Sequence, residues 1–204
     1  NAKSAYALEL LQLGRAREAT HALLALEKEI EHGEAATPCE RAELKNNLGW
    51  AALVESDGGA RHASAQAIDA LQAAVALHGK GGCADPYTRS FSLGNLALAA
   101  LQSGQLDLAR AQLADARASI AEPRGVEVLF WNDLDGRIAL AGKDPKRALA
   151  AFDTESRLAK AASLGEEEWS AAVGRAEALE AMGRVDDAAR AYADAEAVLD
   201  RQSL

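Results

Sequence analysis

The residues able to do chemistry are few, and their spacing forms no reactive set. The histidines are His21, His32, His62 and His78, and none lies in a His-Glu-x-x-His pair that could hold a metal on one helix face. Each falls on, or at the end of, a segment that reads as helix, where a surface or capping role is expected. Cys39 and Cys83 are the only cysteines and neither belongs to a Cys-x-x-Cys pair, which excludes the usual zinc and redox patterns. Gly79-Lys80-Gly81-Gly82-Cys83-Ala84 is rich in glycine but lacks the Gly-Lys-Ser/Thr ending of a phosphate loop, and reads as a linker. No serine sits in a nucleophile elbow. Asp/Glu pairs are plentiful, but on amphipathic helices such pairs are solvated faces. The expectation is a non-enzyme with no catalytic residue, no metal and no cofactor.

The elements behind these residues are helical hairpins. In the stretch Leu93–Ala116, Leu93, Leu96, Ala97, Ala100 and Leu101 recur every three or four positions and share one helical face. Gly104 supplies the positive φ that ends this helix. Asp107 opens a second, with its charge opposing the positive end of the dipole, and Ala109, Leu113 and Ala116 form the buried stripe. The unit recurs. Taking the early alanine of each second helix as a marker, Ala19, Ala67, Ala109, Ala148 and Ala188 are 48, 42, 39 and 40 residues apart. Helix starts are marked by Thr37-Pro38, Asp85-Pro86 and Asp144-Pro145, a cap followed by proline at the first helical position, and by Glu122-Pro123. The expected helix pairs are 3–13 with 16–32, 38–55 with 62–78, 86–103 with 106–120, 124–142 with 145–163, and 166–182 with 185–201. Ala5, Leu8 and Leu11 are the expected inward stripe of the first. Glu166-Glu167-Glu168 reads as a structural first-turn acidic cluster.

This pattern, with Ala97, Ala109, Leu113 and Ala116 at its small and large positions, resembles the tetratricopeptide repeat (TPR), a helix-turn-helix unit of roughly 34 residues. The longer spacing here is similar to kinesin light chain and related peptide-binding adaptors, and in style to the repeat arms of bacterial CHAT peptidase proteins. The resemblance implies an all-α, right-handed α-solenoid of five TPR-like repeats in a single domain spanning 1–204, with repeats at about 1–33, 37–79, 85–121, 123–163 and 166–202. It implies a protein-protein interaction scaffold binding a peptide or a neighbouring domain in a concave groove lined by the first helices, a regulatory arm of a larger bacterial signalling or CHAT peptidase protein. The alternative is a ligand-sensing regulatory domain of a bacterial transcription or signalling protein.

The groove positions follow from the resemblance. Asn47-Leu48-Gly49 and Asn95-Leu96-Ala97 place an asparagine at equivalent points of two neighbouring repeats. In the resembling adaptors such asparagines clamp the backbone of an extended peptide, and an amide can both donate to and accept from a peptide unit. The equivalent residues elsewhere are Ala5, Leu134 and Gly174, so inter-repeat hydrogen bonding is the competing reading. Asn46, Trp50, Asp133, Arg137 and Glu177 are the neighbouring groove residues. Trp50 is either a binding anchor or a core plug, and Asp133 and Arg137, four apart, can pair with each other. Trp131 and Trp169 read as packing.

Charge and hydropathy limit the partners. The 204 residues carry 31 acidic and 22 basic side chains, a net charge of −9, which argues against a phosphate-tracking surface and for a basic or neutral partner. No apolar run approaches the ~20 residues that span a bilayer. A cytoplasmic location is expected. On that ground Cys39 and Cys83, which precede first helices of adjacent repeats, are expected as free thiols, with a disulfide between them as the alternative. The first repeat begins at residue 1 without a cap, which leads to the expectation of a flanking segment or of end-to-end contacts.

Overall fold

The cap signatures in the sequence all become helix starts. Thr37 and Glu40 close a reciprocal capping box: the Glu40 amide donates to Thr37 Oγ1 at 3.2 Å, and the Thr37 amide donates to Glu40 Oε2 at 2.7 Å. Asp85 accepts from the amides of Tyr87 and Thr88, each at 3.2 Å, and Asp144 from that of Arg147 at 3.1 Å. After Pro123 the start falls at Gly125, where buried Glu127 reaches back to the Arg124 amide at 2.8 Å.

The computed structural model describes residues 2–32, 36–56, 61–78 and 83–202. Residues 33–35, 57–60 and 79–82, the last within the glycine-rich stretch, lie outside the described residues, as does the side chain of His62. Among the described residues there are ten helices and no strand: α1 Ala2–Gln12, α2 Ala16–Glu31, α3 Pro38–Ser56, α4 Arg61–His78, α5 Pro86–Gln102, α6 Leu106–Ala118, α7 Gly125–Ala141, α8 Pro145–Ala162, α9 Gly165–Ala181 and α10 Val185–Gln202. The chain divides into two compact units, Asn1–Ile120 and Ala121–Leu204.

Within each unit the helices pair as consecutive hairpins. In the first unit α1 packs on α2, α3 on α4 and α5 on α6; in the second, α7 on α8 and α9 on α10. First helices also touch the next first helix, α1 with α3, α3 with α5 and α7 with α9, whereas no two second helices meet among the described residues. Closer approach on the first-helix side than on the second-helix side makes the first helices the inner face of each unit. The same tight turn joins the helices in four hairpins. Gly14, Gly104 and Gly183 hold φ of +72°, +73° and +74°, and Lys143 takes the corresponding place at +60°.

The marker alanines are buried as expected, Ala19, Ala67, Ala109 and Ala148 at 0% exposure and Ala188 at 4%. The first helix corrects the expected stripe. Ser4, Ala7, Leu10 and Leu11 face inward, while Ala5 and Leu8 are exposed. The reason is register: Ala7 precedes its marker Ala19 by 12 residues, as Ala97 precedes Ala109, so Ala7 is the small residue at the hairpin contact. Trp131 is packed inside, but Trp169 is 38% exposed and is not a core residue. Phe152 fills the contact of α7, α8 and α9. A β-carbon on Gly136 or on Gly174 would stand 2.5 Å from its ring, so both helices approach as closely as glycine allows.

Candidate functional site

Two clefts open on the inner face, one in each unit, between a first helix and the next first helix. In the first unit a cleft of about 410 Å³ is lined by Cys39, Glu43 and Asn46 of α3, His78 at the end of α4, Cys83 and Asp85, and Thr88, Phe91 and Ser92 of α5. In the second a cleft of about 270 Å³ is lined by Val126, Leu129, Phe130 and Asp133 of α7, Glu155 of α8, and Glu166, Glu167 and Ser170 of α9. They occupy equivalent places in the repeat. Cys39, Glu43 and Asn46 each stand 87 residues before Val126, Phe130 and Asp133, the separation of the mid-helix residues Gly49 and Gly136.

In the first unit the asparagines form a chain of amides. Asn95 Nδ2 donates to Asn46 Oδ1 across the α3–α5 contact at 3.0 Å, and Asn46 Nδ2 reaches Asn47 Oδ1 at 3.4 Å. Asn47 and Asn95 are buried, at 6% and 9% exposure, and only Asn46, half-buried, borders the cleft. This is the geometry of inter-repeat hydrogen bonding. Trp50 is half-buried and packed against the hydrophobic core shared by α1–α5, the place of a plug. The double substitution Asn47→Ala/Asn95→Ala is therefore expected to lower stability by about 0.5–3 kcal/mol, one to two net hydrogen bonds. Urea unfolding checks this, and an unchanged midpoint with lost peptide affinity would return both residues to a clamp role.

In the second unit the side chains are charged. Arg137 Nε donates to Asp133 Oδ1 at 2.8 Å and Arg137 Nη2 to Ser170 Oγ at 3.3 Å, while the Ser170 hydroxyl lies 3.4 Å from Asp133 Oδ1. α7 and α9 are thus joined by a triangle of polar groups where α3 and α5 use amides. Burial works against the Arg137 charge, but Asp133, aided by Glu155 and Glu177, outweighs it and holds the guanidinium above its ordinary value. Glu177 itself is exposed on α9.

Four residues of the clefts depart from the sequence reading. Cys39 and Cys83 form a disulfide, with Cα atoms 4.8 Å apart, and so correct the expectation of free thiols. The two cap-then-proline signals set both cysteines at the starts of neighbouring first helices, which lie side by side. His78 corrects the expected surface role: it is buried, with Nδ1 3.3 Å from Cys83 Sγ and Nε2 3.3 Å from Ser92 Oγ. Burial, then the Arg89 charge, pushes its pKa below the usual value, which favours the neutral ring. Glu155 is buried at 2% exposure, and burial, then the charge of Asp133, raises its carboxyl to about 8. A signal for both was in the sequence. His78 and Glu155 fall in register with the apolar stripes Ala67-Leu71-Ala74 and Ala148-Phe152-Ala159, where a titratable residue must be buried.

No protein-family model matches the chain, and no curated protein matches it. Solved structures do. A crystal structure of a candidate kinesin light chain of Podosopora anserina, with nearly identical TPR-like repeats, is 18% identical, has a TM-score of 0.70, and aligns over 98% of this chain and 95% of its own. A single-substitution variant of that protein is also 18% identical, with a TM-score of 0.72 over 99% and 95% of the two chains. At this identity the likeness is one of fold. The chain has the all-α, α-solenoid fold of TPR-like repeat proteins.

Proposed function

We propose that the chain is a protein-interaction scaffold, not an enzyme, whose partner docks as an extended peptide or a domain segment along the first helices of consecutive hairpins. One observation carries this reading: each unit opens a cleft at the same repeat position on its inner face, and the two clefts are lined by different side chains. A repeated backbone geometry with varied lining is what sequence-selective recognition along an extended chain requires. The net charge of −9 favours a basic or neutral protein partner over nucleic acid. No helix of the described residues is long and apolar enough to cross a membrane. A cytoplasmic site of action is part of the sequence reading, and the Cys39–Cys83 disulfide weighs against it, because cytosolic thiols are kept reduced.

Selection of displayed random peptides against the whole chain tests the reading. Enriched peptides are expected to lose about tenfold or more in affinity on Glu43→Ala or Arg137→Ala, both exposed at or beside a cleft, and to shift amide resonances of α3, α5, α7 or α9. No enrichment, or shifts confined to α4, α6 and α8, would count against it. A role as regulatory arm of a larger bacterial signalling or CHAT peptidase protein is the narrower form of the proposal. The full reading frame tests that form: a downstream Cys/His peptidase domain supports it, and a DNA-binding domain favours a ligand-sensing regulator instead.

A further inference from the structure

We propose that the cleft between α7 and α9 is a recognition pocket for an alkylammonium or guanidinium cation, the end group of a lysine or arginine side chain or of a free polyamine. For a protein-borne source it rests on the interaction reading above; for its chemistry it rests on the cleft alone. Four carboxyl groups line the cleft, Asp133 from α7, Glu155 from α8, and Glu166 and Glu167 from α9. Leu129 and Phe130 give one wall an apolar surface against which a methylene stem can lie. The volume of about 270 Å³ is at the low end for ligand pockets, the size for a side-chain end and not for a whole cofactor. Among the described residues no group of His, Cys, Asp and Glu is placed to hold a metal ion, which favours an organic cation.

Glu155 is the observation that turns an acidic rim into a site. The residue is 2% exposed, yet its buried Oε2 has no hydrogen-bond partner among the described residues. The nearby cation, Arg137, is already engaged by Asp133 and Ser170. Hairpin packing does not call for a carboxyl here. Seven residues past the marker alanine, the other four hairpins bury Leu26, Ala74, Ala116 and Ala195. An unpartnered buried carboxyl destabilises the fold, so its presence where alanine packs well is the mark of a group kept for a ligand. The charges that face it are Asp133 and Arg137 from α7 and Glu167 from α9, with Glu166 also lining the cleft. In the free protein the carboxyl holds its proton up to about pH 8. An entering cation takes the place of that proton, so affinity rises with pH up to about 8 and levels above it.

The test is calorimetric titration of the whole chain at pH 6.5 and 8.5 with acetyl-Gly-Lys-Gly-amide, its arginine analogue, a norleucine control and spermidine. Lysine or arginine peptide is expected to bind saturably at pH 8.5, the norleucine peptide not at all. Affinity should fall by up to about tenfold per pH unit below 8. Glu155→Gln should weaken binding about tenfold or more and flatten the pH dependence. Its melting temperature at pH 8.5 should be unchanged or higher, since the buried charge is gone, which separates lost binding from unfolding. Spermidine binding without peptide binding supports the cleft and assigns the free polyamine as the source. A lysine or arginine peptide that binds wild type and Glu155→Gln equally at pH 8.5 overturns the cation pocket while leaving the interaction reading intact. Binding of norleucine as tightly as lysine, or no binding by any cationic probe, also overturns it.

Discussion

Phe152→Ala is expected to lower stability by about 3–5 kcal/mol, the cost of removing a buried aromatic side chain and leaving part of its volume empty. Phe152 is 1% exposed and is the largest fully buried side chain among the described residues. The usual relief, collapse of neighbours into the hole, is restricted here. The ring is bounded by the backbones of α7 and α9 at Gly136 and Gly174, which have no side chains to swing inward. Urea unfolding should show the loss as a lower midpoint for the Ala121–Leu204 unit, and a change below about 1 kcal/mol would contradict the packing. The complementary substitution is Gly136→Ala. Helix propensity alone favours alanine by about 1 kcal/mol. The new methyl would nevertheless stand 2.5 Å from the ring, and overpacking of that kind costs about 1–3 kcal/mol. Steric cost should win, and Phe152→Leu in the Gly136→Ala background should recover part of it.

Reduction of Cys39–Cys83 is expected to cost the Asn1–Ile120 unit about 4 kcal/mol at most, the chain-entropy value for its sequence separation of 44 residues. The bridge closes a loop that contains nearly all of α3 and the whole of α4, so the unfolded chain gains freedom when it opens. Melting in the presence and absence of dithiothreitol measures the effect. Cys39→Ser/Cys83→Ser should reproduce the reduced protein and be indifferent to the reductant, and the Ala121–Leu204 unit should melt alike in all samples. An oxidised protein no more stable than the reduced one would show that this entropy is offset in the native state.

The helical hairpins were legible because each boundary carries its own local chemistry. Thr37-Pro38, Asp85-Pro86 and Asp144-Pro145 set three starts, and α3, α5 and α8 begin at those prolines. The clefts were less legible. Asp133 and Arg137 pair as their spacing of four implies. The bond from Asn95 to Asn46 spans 49 residues of sequence and depends on how two hairpins register against each other, which no local pattern specifies. The disulfide has the same origin. Glu155 and His78 are hidden for a different reason: residue type suggests a solvated side chain, although register with an apolar stripe places both in the core. Leu8 shows the converse error, an apolar residue assigned inward when the small residue Ala7 fixes the face.

The inner-face contacts have a mechanical consequence. Among the described residues no two second helices approach each other closely, and consecutive hairpins of a unit are held by a second helix against the next first helix and by the first-helix joints. Those joints are not equally stiff. The α3–α5 joint is riveted by a covalent bond and an amide bond. The α7–α9 joint is packed on Phe152 at Gly136 and Gly174, and its polar tie is exposed Arg137 reaching Asp133 and Ser170, contacts that salt and competing ligands can loosen. Compliance is therefore graded, with a stiff jaw in one unit and a yielding one in the other. A partner gripping the second displaces polar contacts and meets no covalent tie between its first helices, while the first keeps its shape for as long as its disulfide stays oxidised.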